Sequence, residues 1–148
     1  MSPQRRLHRA LSRDQVARLQ RSLEQLGDGG SERFYRRLFG MHPALRPLFG
    51  GDIRLQARKL LDAMETLVGL LNDETAFRAY CGQLGESHAR YGVREADYDQ
   101  VGAAWITLLA ERLGPDFDQD LEGLWLDAYG RMAESMLAGS GPTSPNPM

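Results

Sequence analysis

Residues 53–92 read IRLQARKLLDAMETLVGLLNDETAFRAYCGQLGESHARYG, and the apolar spacing of this stretch decides the fold. Ile53, Ala57, Leu60, Leu61, Met64, Leu67, Val68 and Leu71 recur every three to four residues, which puts them on one face of a helix. Phe77, Tyr80, Cys81, Leu84, His88 and Tyr91 form a second stripe of the same period, with Asn72 or Asp73 as the cap between the two helices. A polar residue interrupts each stripe: Gln56 points from the near end of the first, and His88 sits on the second. A lone histidine on an apolar face is commonly a core residue satisfied by a neighbour. Two helices that each aim one polar group into an apolar space instead suggest a pocket. Its occupant would want a nitrogen ligand on one side and a hydrogen-bond donor on the other.

Outward from this pair the chain keeps the same grammar. Ser12 and Gln15 make a capping box for a helix carrying Val16, Leu19, Leu23 and Leu26, which ends at Gly27. Gly29-Gly30-Ser31 opens a helix with Phe34, Tyr35, Leu38 and Phe39 inside. It runs out near Met41 to Pro43, where His42 is biased from helical geometry by the proline after it. Pro47 to Gly51 reads as a turn. Beyond Gly92 come two long amphipathic helices. One carries Tyr98, Val101, Trp105, Leu108 and Leu109. The other carries Phe117, Leu121, Leu124, Trp125, Ala128, Tyr129, Met132 and Met136, and Gly114-Pro115 separates the pair. No strand alternation and no internal repeat is visible, so the expected class is all-α. The expected organisation is a leader over 1–11, one folded domain over 12–138 and a disordered tail over 139–148, GSGPTSPNPM from Gly139 on.

Composition narrows the function classes. The 148 residues suit one domain, 42% hydrophobic and 26% charged with a net charge of -2. That balance gives no electrostatic reason to expect nucleic acid or an anionic membrane as a partner. No apolar run approaches the roughly 20 residues of a spanning helix, and MSPQRRLHRAL lacks the apolar core of a secretory signal. Cys81 is the single cysteine, so it reads as a small buried hydrophobe, and a cytoplasmic location is the expectation. His8 in the arginine-rich leader and His42 before Pro43 lie on no buried stripe and read as surface residues.

Three fragments then resemble a known family. SERFYRRLFGMHPALRPLF, Ser31 to Phe49, is similar to the second and third helices of bacterial globins of the flavohaemoglobin type. HARYGVREADYDQVG, His88 to Gly102, resembles their haem-ligand helix and the start of the next one. WLDAYG, Trp125 to Gly130, resembles their last helix. The resemblance runs in the same order and spacing over roughly Ser12 to Ala138, and it implies a globin fold around haem b, iron protoporphyrin IX. It departs from the family in two respects. Only the polar tail follows Leu137, with nothing like the flavin and nicotinamide domains. The region Ala138-Gly139-Ser140 also offers no match to the acidic partner near the end of the last helix.

The resemblance assigns roles one residue at a time. His88 matches the proximal ligand of the haem iron. Phe49 matches the phenylalanine wedged against the haem face. Tyr35 matches the distal tyrosine and Gln56 the distal glutamine, both donors to a bound ligand. Leu60 matches the apolar residue over the iron, Tyr98 the proximal tyrosine, and Val93 and Val101 apolar haem contacts. Lys59, the only lysine, falls where globins place a cation near a haem propionate. On the residues alone, Tyr35 could be a core aromatic, Gln56 an exposed helix-edge residue and Lys59 a solvated surface residue. A neutral imidazole is a normal axial ligand, tuned by the groups around it. Two distal donors would hold a partly anionic ligand firmly, which suits redox chemistry or scavenging better than delivery.

The implied function is a haem-binding globin that takes dioxygen, nitric oxide or carbon monoxide and converts nitric oxide to nitrate with an external reductase. The alternative is a gas-sensing module acting through a protein partner. Its discriminator is an output segment, and the sequence offers only the short tail.

Overall fold

The computed structural model describes residues 9–49 and 51–140. His8, Gly50 and the tail beyond Ser140 lie outside the described residues. Among the described residues five α-helices and two short 3-10 turns make up the regular structure, without a strand. Helix α1 spans Arg13–Met41, a 3-10 turn spans Pro43–Leu48, α2 spans Ile53–Gly69 and α3 spans Glu74–Arg90. Helix α4 covers Glu95–Leu113, a second 3-10 turn Gly114–Asp116, and α5 Gln119–Ser140.

Local chemistry accounts for these boundaries. The Ser12 hydroxyl accepts from the Gln15 amide at 3.0 Å, and the Gln15 side chain accepts from the Ser12 amide at 2.8 Å, so the expected capping box is in place. α1 kinks at Gly27, whose φ of 64° is the left-handed conformation that favours glycine. The two expected helices therefore meet at this kink inside α1, with the Ser31 hydroxyl donating to the Gly27 carbonyl at 3.3 Å. Pro43 starts the 3-10 turn where its missing amide hydrogen costs nothing. Asp52 caps α2 by accepting from the Arg54 amide, and Asp73 caps α3 by accepting from the Ala76 amide. Asp118 accepts from the Leu121 amide at 2.9 Å and from Arg18 at 3.1 Å, and these two donors hold its carboxyl below the usual carboxylate range. α5 continues through Ser140, two residues beyond the expected end of the folded part at Ala138.

The core is one continuous cluster centred on Trp105 and Trp125, both fully buried and edge-on at 5.5 Å. The Trp125 indole donates to the Ser22 hydroxyl at 2.8 Å, and Ser22 donates to the Leu19 carbonyl at 2.6 Å. A buried polar pair is thereby satisfied rather than left to cost desolvation. The stretch before α1 is tied down as well. Leu11 exchanges two hydrogen bonds with the Asn72 side chain, and the Arg9 carbonyl accepts from Arg131 at 2.6 Å. Cys81 is fully buried with its thiol pushed up to about 12 by desolvation, an inert core position.

One feature of the packing positions the site. α3 lies mainly on α5, and α2 mainly on α1, while α2 and α3 meet each other only lightly. α2 and α3, which carry Gln56 and His88, are thus the two walls of the expected slot, each supported by a different helix. No helix among the described residues is long and apolar enough to cross a membrane.

Candidate functional site

The α3 wall of the slot is organised around His88. Its Nδ1 lies 2.6 Å from the carbonyl oxygen of Leu84, one turn back. A carbonyl can only accept, so Nδ1 carries the proton that meets it, and Nε2 is the nitrogen a metal would use. Tyr98, on the first turn of α4, lies nearly parallel to the imidazole, with ring centroids 6.2 Å apart and 26° between planes. Its hydroxyl is buried and has no hydrogen-bond partner among the described residues. Burial, with a smaller contribution from the nearby Cys81, pushes that hydroxyl up to about 12. Val93 and Val101 are half-buried against the core on either side of Tyr98 in the chain.

The opposite wall is aromatic and nearly dry. Tyr35 is 5% exposed and packs edge-on to Phe34 at 5.1 Å and to Phe49 at 5.4 Å, and flat against Phe39 at 5.7 Å. These ring contacts hold the side chain, while its hydroxyl makes no hydrogen bond to the described residues. Desolvation raises its pKa well above the ordinary phenol value, so the group is a permanent neutral donor. Phe49 is half-buried just after the 3-10 turn. Arg46 braces this corner, donating to the Phe49 carbonyl at 2.9 Å and lying over the Phe39 ring at 5.1 Å. Gln56 stands on the first turn of α2 and is half-buried, as is Leu60 one turn on; Lys59 between them is exposed.

The fold therefore brings Tyr35 to Phe49 and His88 to Tyr98 by ring contact, while Gln56 and Leu60 stand one turn apart on α2 and Val93 and Val101 flank Tyr98 in the chain. Lys59 stays at the surface, as both a solvated lysine and a cation at the rim would. His42 departs from the surface reading: it is half-buried and lines a groove of about 510 Å³ with Met41, Leu48, Arg94 and Asp97, chain neighbours of Phe49, Val93 and Tyr98. Among the described residues no three His, Cys, Asp or Glu side chains gather as a metal site. A metal bound through His88 would need its other ligands from a cofactor. The donor set suits a flat, largely apolar group with a metal at its centre: an imidazole nitrogen not engaged by the backbone, buried phenols, and apolar side chains.

Sequence reasoning missed the groups that hold this arrangement. The Leu84 carbonyl that orients His88 is backbone and leaves no sequence signal. Tyr129 donates to the backbone carbonyl of Tyr98 at 2.7 Å, and its ring fills the notch at Gly102. Gly85 and Gly82 of α3 sit against the backbone of α5 at Met136 and Gly139. Three glycines on otherwise regular helices (82, 85 and 102) were the available hint.

Comparison with known proteins agrees with this architecture. The globin family model matches residues 32–136. A flavohemoprotein of Rhizobium meliloti (strain 1021) is 28% identical over 120 residues, covering 79% of this chain and 30% of the relative. A flavohemoprotein of Bordetella pertussis is 26% identical over 118 residues, covering 78% of this chain and 29% of the relative. The chain thus spans about three-tenths of the length of the curated relatives it matches. Among solved structures, a bacterial globin from Campylobacter jejuni superposes with a TM-score of 0.75 at 21% identity, over 87% of this chain and 96% of that one. That last likeness speaks to the fold. With the family model spanning most of the chain, the protein belongs to the globin family.

Proposed function

We propose that this globin binds haem b through His88 and takes up dioxygen and other diatomic gases on the opposite side. With an external reductase it would then convert nitric oxide to nitrate. The observation that carries the proposal is the Nδ1 contact of His88 to the Leu84 carbonyl, which leaves Nε2 as a ready ligand. Haem, when bound, supplies the iron on which a diatomic ligand is held.

The protein's own part is orientation, exclusion of water and hydrogen bonding. Phe49, Leu60, Val93 and Val101 supply apolar surface for the macrocycle, and Lys59 stands where a propionate would reach solvent. Tyr35 and Gln56 donate to the ligand. Because the Tyr35 hydroxyl is bound to nothing among the described residues, turning it toward a ligand breaks no existing bond. A ligand that gathers negative charge gains most from such donors, since hydrogen bonds to charged groups are worth about 1.5–3 kcal/mol. Dioxygen should therefore be held tightly and released slowly. That favours turnover with nitric oxide over delivery.

The proximal side points the same way. Leu84 offers His88 a carbonyl rather than a carboxylate, which makes the ligand nitrogen less electron-donating than a carboxylate partner would. Peroxidase-like chemistry gains no support from that partner. The test is stopped-flow mixing of the oxygenated protein with nitric oxide, followed by reduction with candidate flavoproteins. Stoichiometric nitrate with rapid loss of the oxygenated spectrum is expected. Slow nitrosylation without nitrate would favour the gas-sensor reading instead.

A further inference from the structure

We infer that α5 is a clamp that fixes the proximal ligand, with Gly85, Gly139 and Tyr129 as its positioning residues. The inference rests on the proposed haem ligation by His88 and adds the groups that set its geometry. α5 meets α3 backbone to backbone and α4 through the Tyr129 side chain. A methyl group added at Gly85 would fall onto the Met136 carbonyl, 2.7 Å from its carbon and 2.9 Å from the Met136 Cα. One turn further along α5, a methyl at Gly139 would lie 2.5 Å from the Gly82 Cα. The two helix backbones are therefore in direct contact over two successive turns. On the other flank the Tyr129 ring fills the space at Gly102, where an added methyl would lie 2.5 Å from its Cε2. Its hydroxyl grips the Tyr98 carbonyl at 2.7 Å.

His88 follows Gly85 by three residues, less than one turn, and its ring is tied to its own helix at Leu84. Any shift of α3 at Gly85 is therefore handed to the imidazole nearly undiminished. Tyr98 is held to the same platform through its backbone, so α5 fixes the separation of the two stacked rings. A carbon–oxygen contact settles at about 3.3 Å or more, so a methyl at Gly85 forces the helices apart by on the order of 1 Å. Ligand geometry tolerates errors of only about half that. The obstacle is backbone, which cannot rotate away as a side chain could.

The test uses the full chain loaded with haem and three variants, Gly85→Ala, Gly139→Ala and Tyr129→Phe, beside Ser12→Ala as a control. The control removes the α1 capping box and touches neither α3 nor α5. The readouts are the iron–histidine stretching band of the ferrous protein and the rate of haem loss to an excess of apomyoglobin. Each clamp variant should shift or broaden the band. Haem loss should quicken by about 10–100-fold, the scale for disturbing a group that orients a metal ligand. Ser12→Ala should lower the melting midpoint and leave the band in place. Should Gly85→Ala fail to fold, Gly139→Ala and Tyr129→Phe carry the test, because Tyr129→Phe keeps the ring and removes only the hydroxyl. An unchanged band in both, with haem loss no faster than in Ser12→Ala, overturns the clamp. The hydrogen-bonded imidazole proton of His88 in the haem-free chain gives a separate reading by NMR. If the unaltered chain takes up no haem, the proposed function falls. The clamp is still judged by whether that resonance moves in Gly139→Ala and Tyr129→Phe.

Discussion

Tyr35→Phe isolates the distal chemistry from the fold. The tyrosine ring is held by three aromatic contacts, to Phe34, Phe39 and Phe49, at centroid distances of 5.1 to 5.7 Å, and phenylalanine keeps all three. No hydrogen bond to the described residues is lost, since the hydroxyl makes none. The melting midpoint should therefore change little. The ligand, by contrast, loses one donor to a partly anionic acceptor, about 1.5–3 kcal/mol, which speeds dioxygen release by roughly ten- to a hundred-fold. Carbon monoxide, less polar when bound, should respond far less, and the ratio of the two effects separates hydrogen bonding from a change in pocket shape. Desolvation keeps the phenol neutral far above its ordinary range, so the dioxygen off-rate of the unaltered protein should be flat between pH 6 and 9 as far as this group is concerned. Stopped-flow displacement of dioxygen by carbon monoxide measures both. An off-rate equal to that of the unaltered protein would mean that Tyr35 is a packing residue alone, and the distal assignment would have to be abandoned.

His88→Ala should abolish stable haem retention, with partial return on adding imidazole, because the hole matches the missing ring; a Soret band like that of the unaltered protein would overturn the ligand assignment. Ser22→Ala strands the fully buried Trp125 indole and should cost about 1–3 kcal/mol in denaturant unfolding. Trp125→Phe added to it should recover part of that loss, so strict additivity of the two changes would refute the pairing. Alkaline stability follows from burial of Tyr35, Tyr98, Tyr129 and Cys81, whose pKa values are all raised on folding. Above the unfolded values, about 8.5 for cysteine and 10 for tyrosine, the unfolded chain loses protons that the folded chain keeps. The stability present below those values therefore declines as pH rises from about 8.5 toward 12, and a melting midpoint that stayed level to pH 11 would contradict it.

The helices were legible because each depends on local chemistry and on one buried face. The stripes from Ile53 to Leu71 and from Phe77 to Tyr91 emerged as α2 and α3, and Ser12 with Gln15 closed the cap their spacing promised. Gly27 marked the end of the first expected helix, and with its φ of 64° it is where two helices meet at the kink inside α1. The candidate residues Gln56 and His88 stood out through a conflict, a polar residue on each apolar stripe, which is how a functional site departs from its local rules. The groups that hold them in place did not. A backbone carbonyl such as that of Leu84 belongs to every residue alike, and helix-to-helix contact at Gly85 depends on a partner some fifty residues away.

The difference between the two sides of the slot has a consequence for the chemistry. On the proximal side the hydrogen-bonding needs of His88 are met by a neutral carbonyl, and the Tyr98 hydroxyl beside it is left without a partner among the described residues. No carboxylate on the last turns of α5 takes up that hydroxyl; at Gly139 the backbone of α5 presses on α3 instead. A carboxylate in that position would draw the Nδ1 proton and raise the basicity of the ligand nitrogen, the usual way a proximal histidine is made strongly donating. Here the partner of Nδ1 is the Leu84 carbonyl, so with haem bound as proposed the proximal side would contribute geometry and little electronic push. On this reading the affinity and fate of a gaseous ligand rest on Tyr35 and Gln56. Changes there should alter ligand kinetics without disturbing the iron–histidine bond, while changes along α5 should do the reverse.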